Sequence, residues 1–355
     1  MSEYKGKLHE TVEKFPMTDI WMDTCEEEAL DYGVERGIVG ATSNPVIIGA
    51  VIKNELSRWE ARIREIIREN QTASEEDIAW QLIYEIAGER SRKLLPAYEK
   101  FQGKKGRLSL QTDIKQFRNA QKMLEQAVFI NSLAPNMQVK MPANKAGLEA
   151  MEEATYQGVS INATVSFSVA QAVAVAEAVE RGLARREKEG LDSSKMSPIC
   201  TIMIGRVDDW IKAYMEKNNL IGDTSAYEWA GVAVMKKAYK IYNERGYKTR
   251  LLNAAYRNHY HWSEFIGGDI ASTIPYLWQQ RFENSDVEVV ARMDNPVCQD
   301  YIDSLMKIPE FVKAYEEDGM KLEAFGDYQA FKDTASAFTA GTDQLYALIR
   351  GYLIG

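Results

Sequence analysis

The chain has 355 residues, 45% hydrophobic and 27% charged, a balance that builds a globular core without disulfides or structural metal. Its 43 Lys+Arg against 52 Asp+Glu leave a formal net charge of −9 at pH 7, and such a surface repels nucleic-acid phosphates and anionic lipid. The charged opening segment does not read as a signal peptide, and no apolar run approaches the ~18 residues of a membrane span. The three cysteines (Cys25, Cys200, Cys298) have neither disulfide nor zinc spacing. The expectation is a cytoplasmic protein with no nucleic-acid or membrane partner, no metal and no cofactor.

Short apolar runs of strand length recur along the chain, each followed by a helix-like stretch. The runs are 19–23, 37–42, 107–111, 138–141, 159–167, 199–204, 250–256 and 269–275. Eight strand candidates alternating with helices predict a parallel sheet closed as a (β/α)8 TIM barrel. The alternative, an open doubly wound sheet, lacks a G-x-G-x-x-G turn after its first strand. No Pro- or Ser-rich linker marks a boundary, so 1–355 reads as one barrel domain.

Among the helices, Ser74 reads as an N-cap, with Glu75, Glu76 and Asp77 in the first turn where the helix dipole favours acids. Ile78, Leu82 and Ile86 continue at helical spacing, and Pro96 or the stretch 103–106 ends the unit. Stretches 170–183, 226–245 and 328–352 read the same way. Two connections are too long for a simple barrel: 54–106, read as two helices, and 181–198, charged and exposed. Both read as helical insertions.

Alternate residues of a barrel strand point inward, and those at the carboxyl end line the active site. Polar residues stand there in this sequence: Asp23, the pair Thr42 and Asn44, the pair Ser109 and Gln111, Lys140, and the pair Asn162 and Thr164. Arg206 follows the sixth run and Arg257 the seventh. One such residue is ordinarily a satisfied core polar group, whereas this many at one end point to an active site.

Lys140, in Val139-Lys140-Met141-Pro142, is the sharpest case. Such a lysine either snorkels to water or is desolvated in a barrel mouth. In the second case burial disfavours the ammonium and frees the amine to attack a carbonyl, giving a Schiff base. The iminium stabilises the carbanion left when a C–C bond breaks. The partner such chemistry needs is a proton acceptor, and Asp23 is placed for it, although a strand-end Asp also serves as a helix N-cap.

At this point the residues resemble the transaldolase family. The carriers are Trp21-Met22-Asp23-Thr24, Gly40-Ala41-Thr42-Ser43-Asn44-Pro45, Val139-Lys140-Met141-Pro142-Ala143, Gly158-Val159-Ser160-Ile161-Asn162-Ala163-Thr164, Gly205-Arg206-Val207-Asp208-Asp209-Trp210 and Arg257-Asn258, in family order. The length is similar to that of the longer branch. The resemblance implies a Schiff-base enzyme of sugar-phosphate metabolism, of pentose phosphate pathway type, working as a homodimer. Lys140 would form the Schiff base, Asp23 would exchange the C4 hydroxyl proton, and Thr164 would hold a catalytic water. Asn44 and Asn162 would bind the dihydroxyacetone hydroxyls, and Arg206 and Arg257 would clamp the phosphate. Thr42, Thr201 and Met203 would complete the substrate site.

Three departures from the family pattern bear on the reaction. Gln111 stands where a Glu is usual, and an amide orients a water but cannot act as a general base. The related fructose-6-phosphate aldolases also carry Gln there. Met203 replaces an aromatic residue and supplies no hydroxyl, and Ala255 replaces a serine of the anion site. The readings left open are transfer of a dihydroxyacetone unit, release of free dihydroxyacetone by the same mechanism, action on another anionic ketose such as a sulfonate, and a catalytically silent sugar-phosphate-binding barrel. His259 and His261 lack a third metal ligand, and Cys25 and Cys200 read as buried small hydrophobes.

Overall fold

A computed structural model describes residues 4–355; residues 1–3 of the charged opening segment lie outside the described residues. The apolar runs pair in chain order as β1 (Thr18–Met22), β2 (Gly40–Thr42), β3 (Arg107–Gln111), β4 (Met137–Pro142), β5 (Ile161–Ser166), β6 (Ile199–Ile202), β7 (Arg250–Asn253) and β8 (Ile270–Ile274). All pairings are parallel, and β1 meets β8 from Thr18 opposite Ile270 to Met22 opposite Ile274, closing a (β/α)8 barrel.

The helices are α1 (Lys7–Lys14), α2 (Glu27–Val34), α3 (Pro45–Asn54), α4 (Leu56–Glu69), α5 (Glu75–Ser91), α6 (Leu95–Lys100), α7 (Ala120–Ser132), α8 (Lys145–Tyr156) and α9 (Val169–Lys188). They continue as α10 (Ile204–Lys217), α11 (Thr224–Tyr227), α12 (Ala230–Arg245), α13 (Tyr260–Ser263), α14 (Tyr276–Glu283), α15 (Gln299–Leu305), α16 (Pro309–Tyr315) and α17 (Gln329–Ile354). Among the described residues no helix is long and apolar enough to cross a membrane.

Alternation along the strands sorts side chains into two sets. Ile20, Met22, Leu108, Leu110, Val139, Met141, Ile161 and Ala163 face outward into the large core under the helices. The barrel interior holds a small apolar plug of Trp21, Val39, Ile199, Leu252, Ala254 and Ala271. Gly40 is required there, because a Cβ would sit 2.3 Å from the Trp21 ring. At the amino end Asp19 is buried between Lys105 and Arg250, the latter at 2.6 Å, so the lower interior is sealed by charge pairing.

The structure corrects several element ends. The seventh run stops at Asn253, not 256, because Ala255 adopts a left-handed φ of 67° that turns the chain out of the sheet. The sixth stops at Ile202, since Met203 already precedes α10. The second begins at Gly40; Gly37, at φ 83°, belongs to the turn after α2. Residues 54–106 hold three α-helices rather than two. Ser74 does cap α5 in a reciprocal box with Asp77, but α5 ends at Ser91 and Pro96 lies in the first turn of α6, where its missing N–H costs nothing. Stretch 226–245 breaks between α11 and α12. Arg181 and Arg185 extend α9 by pairing with Glu152 and Glu153 of α8, leaving residues 189–198 as the connection to β6.

Candidate active site

At the carboxyl end of the barrel the inward positions are polar. Lys140 lies on β4 between outward Val139 and Met141, opposite Gln111 of β3 and Asn162 of β5, and is 6% exposed. Burial pushes its ammonium pKa below the ordinary lysine value, and the negative charge of Asp23 pushes it partly back.

Beneath Lys140 a directional hydrogen-bond chain crosses four strands. Thr201 Oγ1 donates to Asn162 Oδ1 at 2.7 Å, Asn162 Nδ2 to Ser109 Oγ at 3.1 Å, Ser109 Oγ to Gln138 Oε1 at 2.5 Å, and Gln138 Nε2 to Ser197 O at 2.7 Å. Thr201 therefore orients Asn162, which keeps one Nδ2 proton for a ligand. The strand periodicity of Gln138 with Lys140 was a signal for this partner that the sequence reading left unused.

Asp23 follows β1 at the mouth. Its Oδ1 accepts from Thr42 Oγ1 at 2.6 Å, and Thr42 Oγ1 lies 2.6 Å from Thr273 Oγ1 of β8. Desolvation raises the Asp23 pKa, while Lys140 and the Thr42 hydrogen bond lower it. The hydroxyl of Thr42 is thus engaged within the protein. Thr273 escaped the sequence reading, although it stands two residues from the end of the last run with the same alternation. Tyr256 escaped it too: its buried hydroxyl donates to Asn253 Oδ1, and burial together with the Asp23 charge raises its pKa.

The remaining positions stand at the same end of the barrel, Gln111 opposite Lys140 in register. Gln111 is fully buried, and neither of its amide atoms has a protein partner among the described residues, so both are available to a polar ligand group. Thr164 is buried on the same strand face as Asn162. Asn44 caps α3, its Oδ1 accepting from Ile47 N at 2.9 Å, which leaves its amide protons free. Met203 is buried beside the mouth, its N–H bound to Ser166 O at 2.9 Å.

Two arginines stand where β7 and α10 meet. Gly205 permits this contact, since a Cβ there would lie 1.7 Å from Ala255 O. Arg206, in the first turn of α10, is partly buried, and desolvation and then Arg257 lower its pKa. Arg257 donates through Nε and Nη2 to Asp209, at 2.9 and 2.6 Å, and through Nη1 to Tyr256 O. Its backbone N–H donates to His261 Nδ1 at 3.1 Å. Nδ1 must therefore be unprotonated, and Nε2 carries the proton toward Asp208 Oδ2 at 2.8 Å. Asp208 also accepts from Gly231 N, so His261 serves as a buried loop support. Among the described residues no group of three His, Cys, Asp or Glu could hold a metal ion.

A family model described as Transaldolase/Fructose-6-phosphate aldolase matches residues 20–348. Among curated proteins, the chain is 30% identical over 245 residues to a protein named Transaldolase from Mycolicibacterium smegmatis, covering 63% of this chain and 62% of that one. It is 28% identical over 234 residues to a Transaldolase from Thiobacillus denitrificans (63% and 64%), and 27% identical over 243 residues to one from Mycobacterium tuberculosis (63% and 62%). The chain thus spans somewhat under two thirds of the length of these relatives.

Proposed function

The chain belongs to the transaldolase/fructose-6-phosphate aldolase family, and on that premise we propose that it moves a dihydroxyacetone unit from a ketose phosphate to an aldose phosphate through a Schiff base on Lys140. The observation that carries this reading is a lysine buried in a barrel mouth, its ammonium disfavoured by desolvation, within the field of a single carboxylate.

The steps follow from the groups present. The neutral Lys140 amine attacks the ketose C2 carbonyl, and loss of water gives an iminium. Asp23 takes the C4 hydroxyl proton as the C3–C4 bond breaks; the pair of that bond becomes the C2=C3 bond of an enamine while the iminium π pair moves onto nitrogen. The departing aldehyde is replaced by the acceptor aldose, whose carbonyl carbon receives the pair. Asp23 returns the proton to the new hydroxyl, and water releases the product from Lys140.

Asn162 and Asn44 offer amide protons to the hydroxyls of the bound unit, and Thr164 with the unpartnered Gln111 amide would orient the water. Arg206, with Arg257 behind it, would hold the terminal anion. Gln111 favours a second reading, release of free dihydroxyacetone, because the fructose-6-phosphate aldolases that the sequence resembles also carry Gln at that position. A coupled assay with fructose 6-phosphate, with and without erythrose 4-phosphate, separates the two. Transfer requires that triose phosphate form beyond one equivalent of enzyme only when acceptor is present; steady triose phosphate without acceptor establishes release, and no product from either excludes fructose 6-phosphate as donor.

A further inference from the structure

We propose that Thr273 is a positioning residue for Asp23, acting through Thr42 to hold one carboxylate oxygen on a fixed donor and leave the other for the substrate proton. The proposal rests on the reading of Asp23 as the proton acceptor.

The direction of the chain follows from counting protons. Each threonine hydroxyl has one proton to give and lone pairs to receive, whereas a carboxylate only receives. Thr42 Oγ1, 2.6 Å from Asp23 Oδ1, spends its proton there. The 2.6 Å contact between Thr42 and Thr273 is then a hydrogen bond in one sense only, Thr273 donating to Thr42. Both threonines are buried at 1% exposure, so solvent does not take over either role.

The topology makes the arrangement stiff. β1 is flanked by β2 and β8, and Trp21 of β1 lies opposite Thr273 in register. Three adjacent strands therefore converge on one carboxylate, and β-branched side chains on strands have little freedom at χ1. With Oδ1 held by Thr42, proton exchange with substrate falls to Oδ2. The titratable groups within electrostatic reach of Asp23 are Lys140 from β4 and Tyr256 from the segment after β7. Neither bonds to Thr273, so removing that hydroxyl leaves both in place.

The sign of the effect is fixed. Donation to a carboxylate stabilises its charged form, so loss of the donor chain raises the pH at which Asp23 gives up its proton. The test compares wild type, Thr273→Val, Thr273→Ser and Thr42→Val by kcat and KM across pH. It is paired with a 13C NMR titration of the Asp23 carboxyl, assigned with Asp23→Asn.

Thr273→Val is expected to move both the carboxyl titration and the acid limb of kcat upward by about half a unit, with kcat lowered about tenfold and KM nearly unchanged. Thr42→Val should move the titration further, by about one unit, and Thr273→Ser should restore the wild-type profile. An unmoved Asp23 titration in Thr273→Val overturns the proposal, as does a loss of kcat that serine fails to rescue. If wild type neither turns over sugar phosphates nor traps them on Lys140, the proposed reaction fails by that result alone. The carboxyl titration still decides the role of Thr273.

Discussion

Arg257 meets Asp209 side-on, with Nε 2.9 Å from Oδ1 and Nη2 2.6 Å from Oδ2, so the guanidinium edge suited to a phosphate is occupied by an internal carboxylate. On the proposed reaction, a substrate anion would compete with Asp209 for that edge. Because the pair is partly exposed, the competition is weak. Asp209→Asn is expected to lower KM for a phosphorylated ketose by about two- to fivefold at unchanged kcat, with no effect on an unphosphorylated one. Arg206→Ala should raise KM for the phosphorylated sugar alone. Steady-state kinetics on the two substrate types checks both.

Gln111 carries a stability prediction of opposite sign to its functional one. A buried amide without protein partners is costly to fold around, so Gln111→Leu should leave thermal stability unchanged or raise it by about 1 kcal/mol while lowering kcat. Gln111→Glu should instead add a titrating group: the kcat profile gains a second ionisation beside that of Asp23, and transfer rises relative to release. Thermal denaturation and the pH profile of the two variants decide this.

His261 and Asp208 are both fully buried and bonded at 2.8 Å. Removing the imidazole strands a buried carboxyl, so His261→Leu should cost about 3 kcal/mol in chemical denaturation. The double variant Asp208→Leu/His261→Leu should recover part of that loss, since no unpaired charge remains. Simple additivity of the two single losses would refute the coupling.

On the proposed reaction, Lys140 would set the pH dependence of carbinolamine formation. Desolvation lowers its pKa, so the free amine is populated at lower pH than for an exposed lysine. The rate of trapping by borohydride should therefore level off below the ordinary lysine pKa of 10.5, and Asp23→Asn should shift the plateau lower still, because the charge that supports the ammonium is gone. Trapping rates across pH in wild type and Asp23→Asn provide the check.

The strands and the identity of the inward polar residues were legible because barrel alternation writes them into the sequence, as at Ser109 and Gln111 or Asn162 and Thr164. Their bonding was not. Whether Thr201 serves a ligand or Asn162, and whether Thr42 serves a ligand or Asp23, depends on register between strands distant in the chain. The pairing of Arg257 with Asp209 spans 48 residues and exists because Ala255 turns left-handed, which an alanine does not announce. Pro96, one of the two candidate ends of the helical unit that Ser74 opens, is instead a helix start; proline is compatible with both, and only the preceding stop at Ser91 decides. Thr273 was hidden beside Ser272, whose hydroxyl faces Asn253 on the outer side of the barrel.

The reaction proposed for this barrel rests on covalent chemistry at Lys140. Intact mass after sodium borohydride with fructose 6-phosphate, with and without erythrose 4-phosphate, on wild type and Lys140→Ala, tests it most directly. Wild type is expected to gain one dihydroxyacetone unit, the variant to gain none, and the gain to be lost when acceptor is supplied. A gain that persists in Lys140→Ala, or no gain with any ketose phosphate, would contradict the proposed chemistry.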